Sequence, residues 1–142
     1  MTNADIEKLL FERVSVLCSS GVVDVNGKVY YKGTRPITTN PSTNKEDVVI
    51  SILSAKGTDL IEGNCLVNIY VQDILVPSGV YMENKVRTLK LSQELDTLAK
   101  ALNHIGNVFY ERIETVAVVE NDETNEHIVS LKLRFRALND NY

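Results

Sequence analysis

The sequence predicts an α+β fold, a mostly antiparallel sheet of about five strands packed against two main helices as a sandwich. Three observations predict it. Apolar residues recur at helical spacing twice, as Ile6, Leu9, Leu10, Val14 and Leu17 and again as Leu91, Leu95, Leu98, Leu102 and Ile105. Between these stripes lie two β-branched runs, VVISIL and CLVNIYV, on either side of a polar connection at residues 55–64. After the second stripe, IVSLKLRFRAL alternates apolar and polar residues along its length. The resulting order is helix, strand, hairpin, long loop, helix, hairpin. At 142 residues the chain fits one domain, residues 1–142, able to bury about two thirds of its unfolded surface without a disulfide or metal.

The first stripe, with Asp5, Glu7, Lys8, Glu12 and Arg13 mostly on the opposite side, predicts an amphipathic helix over residues 3–20. Thr2 or Asn3 suits its start and Gly21 its end. Residues 22–32 contain the Asn26-Gly27 turn signal followed by KVYYK, so a short strand or small hairpin is expected. Residues 33–47, GTRPITTNPSTNKED, have no apolar period and read as a loop.

Val48, Ile50 and Ile52 then alternate with Val49, Ser51 and Leu53, and Cys65, Val67, Ile69 and Val71 with Leu66, Asn68, Tyr70 and Gln72. The first of these strands is apolar on both faces at its centre, which places it mid-sheet under a helix. A second excursion, residues 73–87, differs from the first because Ile74, Leu75, Val76, Val80, Tyr81 and Met82 are large and apolar in a turn-forming context. They must fold back on the domain's own core or dock on a neighbouring subunit, and the residues alone leave both open. The leucine stripe marks a second helix ending at Gly106. The remainder reads as a hairpin, residues 108–120 and 126–138 around the turn NDETN. A register opposing Glu120 to Glu126 would set Glu114 against Lys132 and Ile113 against Leu133, keeping charge with charge and core with core.

Composition narrows the function. The net charge is −4 and the pI about 5.2, which argues against a surface built to neutralise phosphates. No apolar run approaches the roughly 18 residues of a membrane span, and the N-terminus lacks a secretory hydrophobic stretch, so residence in the cytoplasm is expected. Cys18 and Cys65 are far apart within apolar patterns and read as buried thiols. No catalytic, cofactor or metal motif stands out: GxSxG, GxGxxG and GxxxxGK[ST] are all missing. His104 and His127 read as surface histidines, and the carboxylates of residues 111–126 as a solvated turn rather than a calcium loop. Lys132, Arg134 and Arg136 form a basic stripe that must meet water, cross-strand carboxylates or a partner.

The element order, with IEKLLFERV, VYYKGTRP, EDVVISILSAKGTDLIEGNCLVNIYVQD, the leucine-striped helix and IVSLKLRFRAL, resembles the tail-completion and tail-terminator proteins that join head and tail in long-tailed bacteriophages. The resemblance covers nearly the whole chain and implies a tail-terminator-like sandwich. It also implies a structural, non-enzymatic virion subunit that forms a homo-oligomeric ring, commonly hexameric. Such a ring caps the tail tube and docks it to the connector, while DNA passes through without specific binding. It would assemble in the host cytoplasm and end in the virion, away from membranes. An acidic protomer suits a channel that must not grip DNA. On this reading the protein-interface residues are Arg35, Pro36, Val80, Tyr81, Met82 and Arg87 in the excursions, with Lys132, Arg134 and Arg136 on the stripe. The alternative is a small cytoplasmic binding or immunity-type protein that masks one partner with the same loops.

Overall fold

Helix α1 (Asn3–Ser19) opens on a capping box in which the Thr2 hydroxyl accepts from the Asp5 backbone and Asp5 accepts from the Thr2 backbone. It closes on a Schellman turn: Gly21, at φ +90°, and Val22 donate to the Cys18 and Leu17 carbonyls. The apolar stripe explains the packing, since Ile6, Leu10 and Val14 are fully buried and the Phe11 ring stacks at 4.3 Å on Tyr31. The chain was described by a computed structural model, over residues 1–36 and 44–138. Residues 37–43 of the first predicted loop, and residues 139–142, lie outside the described residues.

The main sheet runs β1 (Val29–Tyr31), β2 (Val48–Lys56), β3 (Leu60–Gln72), β9 (Glu126–Leu138), β7 (Val108–Arg112) and β6 (His104–Ile105), with β8 (Ala117–Asn121) also pairing β9. It is a curled, mixed sheet of more strands than the five expected. Its parallel pair is β1 with β2. The predicted turn at Asn26-Gly27 therefore does not make a hairpin. A Cβ on Gly27 would collide with Asp47 and the Glu46 carbonyl, so this glycine lets two backbone segments approach, and the Gly27 amide donates to Glu46 O at 3.1 Å.

The polar connection at residues 55–64 is mostly strand. β2 and β3 pair out to Lys56 and Glu62 around a tight turn, with a bulge between Ile52 and Ser54. Strand alternation divides the sheet's faces. Ile50, Cys65, Val67, Ile69, Leu131, Leu133 and Phe135 point inward against the helices. Leu66, Asn68, Tyr70, Lys132, Arg134 and Arg136 occupy the outer face.

A two-stranded sheet, β4 (Ile74–Leu75) with β5 (Tyr81–Met82), leads into α2 (Lys85–Ala101). Thr88, Leu91, Leu95 and Leu98 face the core. Ile105, read as helical, belongs to β6, and Gly106, at φ +57°, turns β6 into β7 instead of ending the helix.

The closing hairpin also departs from its expected register. The strand breaks at residues 113–116, with β7 pairing as Tyr110 to Phe135 and β8 as Glu120 to His127. Each half lies one residue from the expected pairing, in opposite directions. The break resolves a conflict of parity: Val108 and Tyr110 turn inward, while Phe109 and Glu111 face Arg136 and Arg134 outside. Arg112, not Ile113, opposes Leu133, yet Glu114 still reaches Lys132 at 3.9 Å.

Both cysteines are free thiols. Burial pushes Cys65 up to about 12, and burial, with the Glu94 carboxylate adding to it, pushes Cys18 up to about 11. Since the thiolate is the reactive form, a maleimide or aromatic disulfide at pH 8 is expected to label the native protein slowly, half-buried Cys18 before Cys65. Both thiols should react rapidly once urea unfolds the chain.

Candidate functional site

Arg35, after β1, lies over the outer face of the sheet at the start of β2, and there it builds a dense polar cluster. Arg35 Nε donates to Asp47 Oδ2 at 2.9 Å, and its two terminal nitrogens donate to Glu126 Oε1 at 3.1 Å and Oε2 at 2.7 Å. Its guanidinium lies 4.3 Å over the Tyr70 ring and also reaches the Lys45 carbonyl. The Arg35 side chain is 4% exposed, that of Asp47 6% and that of Glu126 0%. Asp47 is held by the Lys28 amide as well. This is a planar, forked cation matched to a carboxylate in a site that excludes water. One residue expected at a protein interface is thus committed internally, while neighbouring Pro36 is exposed.

Beside this cluster, His127 is buried rather than on the surface as expected. Its Nδ1 lies 2.5 Å from Asp73 Oδ1 and its Nε2 3.7 Å from Glu83 Oε1. Asp73 immediately precedes β4 and Glu83 immediately follows β5, so a single ring on β9 holds both stems of the β4–β5 hairpin. Thr88 donates to Glu83 at 2.6 Å. That hydroxyl holds the Glu83 carboxyl below its ordinary range, with Lys85 and His127 adding to the effect and partial burial opposing it.

A lowered carboxyl stabilises the fold above its unfolded-state range, and the contribution is lost as pH falls through the folded one. Thr88→Val, nearly isosteric at a buried position, is therefore expected to cost about 1 kcal/mol at pH 7. The deficit should shrink towards pH 3, as urea unfolding at the two pH values will measure.

The hairpin held in this way is apolar and uncovered. Ile74, Leu75, Val80, Tyr81 and Met82 are between 37% and 58% exposed, and on the adjoining turns of α2 Val86 and Leu89 are more exposed still. Of the two readings left open by the sequence, folding back on the core is not what these side chains do. Arg87, also expected at an interface, is half-buried and grips Glu46 through two bonds of 2.7 and 2.6 Å, with a third to the Asp24 carbonyl at 2.9 Å.

At the other end of the sheet the outer face holds a depression of about 670 Å³, lined by Lys56, Glu62, Asn64, Glu111, Arg134 and Arg136 among others. Arg134 sits between Asn64 and Glu111, and Arg136 between Glu62 and Phe109. Both arginines are exposed, whereas Lys132 is half-buried beside Glu114. Two residues of the basic stripe, Arg134 and Arg136, therefore line a mixed-charge groove. Exposed Leu60 and Leu138, directly paired, lie two residues beyond Glu62 and Arg136 along the strands, outside its lining.

Chemically, the buried cluster orders loops. The second nitrogen of His127 faces a carboxylate rather than a hydroxyl or thiol, so the ring is not set to activate a nucleophile. Among the described residues no group of three His, Cys, Asp or Glu is placed to hold a metal ion. The nine predicted interface residues fall into separate places: three on the hairpin, two on the groove floor, one exposed in the loop and three in ion pairs. Sequence reasoning missed Asp47, Glu126, Asp73 and His127, which lie 12, 91 and 54 positions from their partners. Only the polar start of an otherwise regular strand, Glu126-His127, hinted at them. No protein-family model matches the chain, and no curated protein matches it in sequence.

Proposed function

We propose that this chain is a non-enzymatic structural subunit of a long-tailed phage virion. It works as a homo-oligomeric ring at the head–tail junction, where it caps the tail tube and meets the connector. The observation that carries the reading is the β4–β5 hairpin: five large apolar side chains on a two-stranded sheet that the domain leaves in water. A hairpin of two-residue strands is marginal on its own, yet this one is fixed at both stems by a buried histidine. Pre-ordering an uncovered apolar element favours binding, because little conformational entropy remains to be lost on contact. The tail-terminator-like sandwich suggested by the sequence is compatible with two helices on one face of a curled mixed sheet. The acidic net charge of −4 suits a ring through which DNA must slide.

The test is genetic. A nonsense mutation in this gene, in the phage that carries it, is expected to yield filled heads and separate tails in the electron microscope, with joining restored by the purified protein. Normal, infectious particles from the mutant would refute the proposal. Loss of protection against a toxin, with intact particles, would favour an immunity-type protein that masks one partner.

A further inference from the structure

We propose that β8 is a docking edge for an extended segment of another protein, a basic stretch rich in β-branched residues that joins the sheet as a further strand beyond β8. The inference goes beyond the reading above and stands on a different part of the fold.

A strand at the margin of a sheet leaves alternate backbone N–H and C=O groups without a partner, and folded proteins blunt such edges by shortness, bulges, lysine or proline. The other edges of this sheet are blunted in those ways. β1 and β6 have only three and two residues. β2 runs on past β1 after Ile50, and the bulge between Ile52 and Ser54 interrupts that stretch before it ends at Lys56. β8 has none of these devices. Its five residues, AVVEN, pair in unbroken register with β9 on one side and with no described strand on the other.

The side chains set β8 apart as well. None of the five is buried, so the strand adds nothing to the core and is kept in place mainly by its ladder with β9. Val118, opposite Val129, lies on the face that carries the helices and is 40% exposed, whereas Val119, opposite Ile128, lies on the outer face and is 51% exposed. Valines uncovered on both faces suit a strand interior to a sheet, where a neighbour on the far side covers each with its own side chains.

Charge identifies the occupant. Glu120 on β8 and Asp122 and Glu123 in the following turn are exposed and form no ion pair among the described residues. The cations Arg112 and Lys132 on the flanking strands are engaged by Asp96 and Glu114. An incoming strand with lysine or arginine opposite Glu120, and β-branched residues opposite Val118 and Val119, satisfies both needs while its main chain supplies the hydrogen bonds. Two copies of this chain paired edge to edge would bring the same carboxylates together, so the complementary partner is a different chain.

The test is a selection of short random peptides, displayed on yeast, against the immobilised full chain after depletion on a Val119→Lys variant, whose charge blunts the edge at an exposed position. Val118→Lys takes its place if a melting curve shows that variant misfolded. Recovered peptides are expected to carry lysine or arginine beside adjacent β-branched residues. Each is then synthesised in two forms, N-methylated on one or the other set of alternate amides. Only one set faces β8, so one form is expected to bind at least about tenfold more weakly by calorimetry, while the other keeps its affinity. Glu120→Lys should also weaken binding, and a peptide with glutamate in place of its basic residue should restore it on that variant.

Recovery of no peptide that depends on Val119 overturns the proposal, as does equal loss or equal tolerance in the two methylated forms, which would exclude a backbone ladder. Binding indifferent to Glu120→Lys overturns the charge of the occupant. Self-association of the wild type that Val119→Lys abolishes, with no peptide recovered, would assign the edge to a second copy instead.

Discussion

Arg35→Met is expected to lower the unfolding free energy by about 3–5 kcal/mol, the range for breaking a buried ion pair by removing one partner. Methionine replaces much of the apolar stem but none of the five donors. Asp47 and Glu126, whose side chains are 6% and 0% exposed, would then be two like charges in a site without water. The Tyr70 ring would lose the cation stacked on it. For a chain of this size stability is itself only about 5–15 kcal/mol, so the variant should melt many degrees lower.

A triple variant, Arg35→Met with Asp47→Asn and Glu126→Gln, should recover much of the loss by removing both charges. Urea unfolding at pH 7 measures both effects. A change below about 1 kcal/mol, the scale of an exposed pair, would mean that the cluster is solvated and does not anchor the loop.

Gly63→Val is expected to cost about 3 kcal/mol or more, contrary to what strand propensity alone predicts. Valine favours strands and glycine weakens them, and residue 63 lies in the middle of the β2–β3–β9 pairing. The bulge between Ile52 and Ser54 is what reverses the sign. It turns the Ser54 carbonyl onto Gly63, where a Cβ would collide with that oxygen and come within 2.8 Å of Phe135 Cζ. Backbone cannot move aside without breaking ladder bonds, and Phe135 is fully buried, so the strain adds to lost pairing. Gly63→Ala should give a smaller loss in the same direction. Thermal melts of the two variants decide the matter, and a stabilised valine variant would show that the bulge relaxes freely.

The legible parts of the fold were those where a period and a burial requirement coincide. Ile6, Leu10 and Val14, and later Leu91, Leu95 and Leu98, announce helices that the sheet then buries. In β9 alternation separates Leu131, Leu133 and Phe135 from Lys132 and Arg134 without ambiguity. The strand count came out low because His104–Ile105 reads as the end of the helix and the first closing strand breaks into β7 and β8. Residues 55–64, KGTDLIEGN after Ala55, look like a loop, although β2 and β3 continue there as a ribbon whose side chains largely face water. The register of the last hairpin was misread because Ile113 and Val116 resemble strand residues, whereas the chain breaks there to turn Val108 and Tyr110 inward.

Of the candidate site, the excess of apolar residues at 74–82 was visible in the sequence, but not which way they face. The Arg35 cluster was invisible: its partners lie 12 and 91 positions away, and no local pattern marks a carboxylate as the mate of a distant arginine. A proline-containing loop and a strand-opening glutamate gain meaning only when the sheet brings them together.

The central claim is that this chain acts by where it sits and what it touches. Electron microscopy of purified tail tubes of the phage that carries this gene, incubated with the wild type or Met82→Asp protein, tests this most directly. The account predicts wild-type density at one end of each tube and none along its length, with end-binding lost for the variant. Tubes left bare at both ends by the wild-type protein would contradict it.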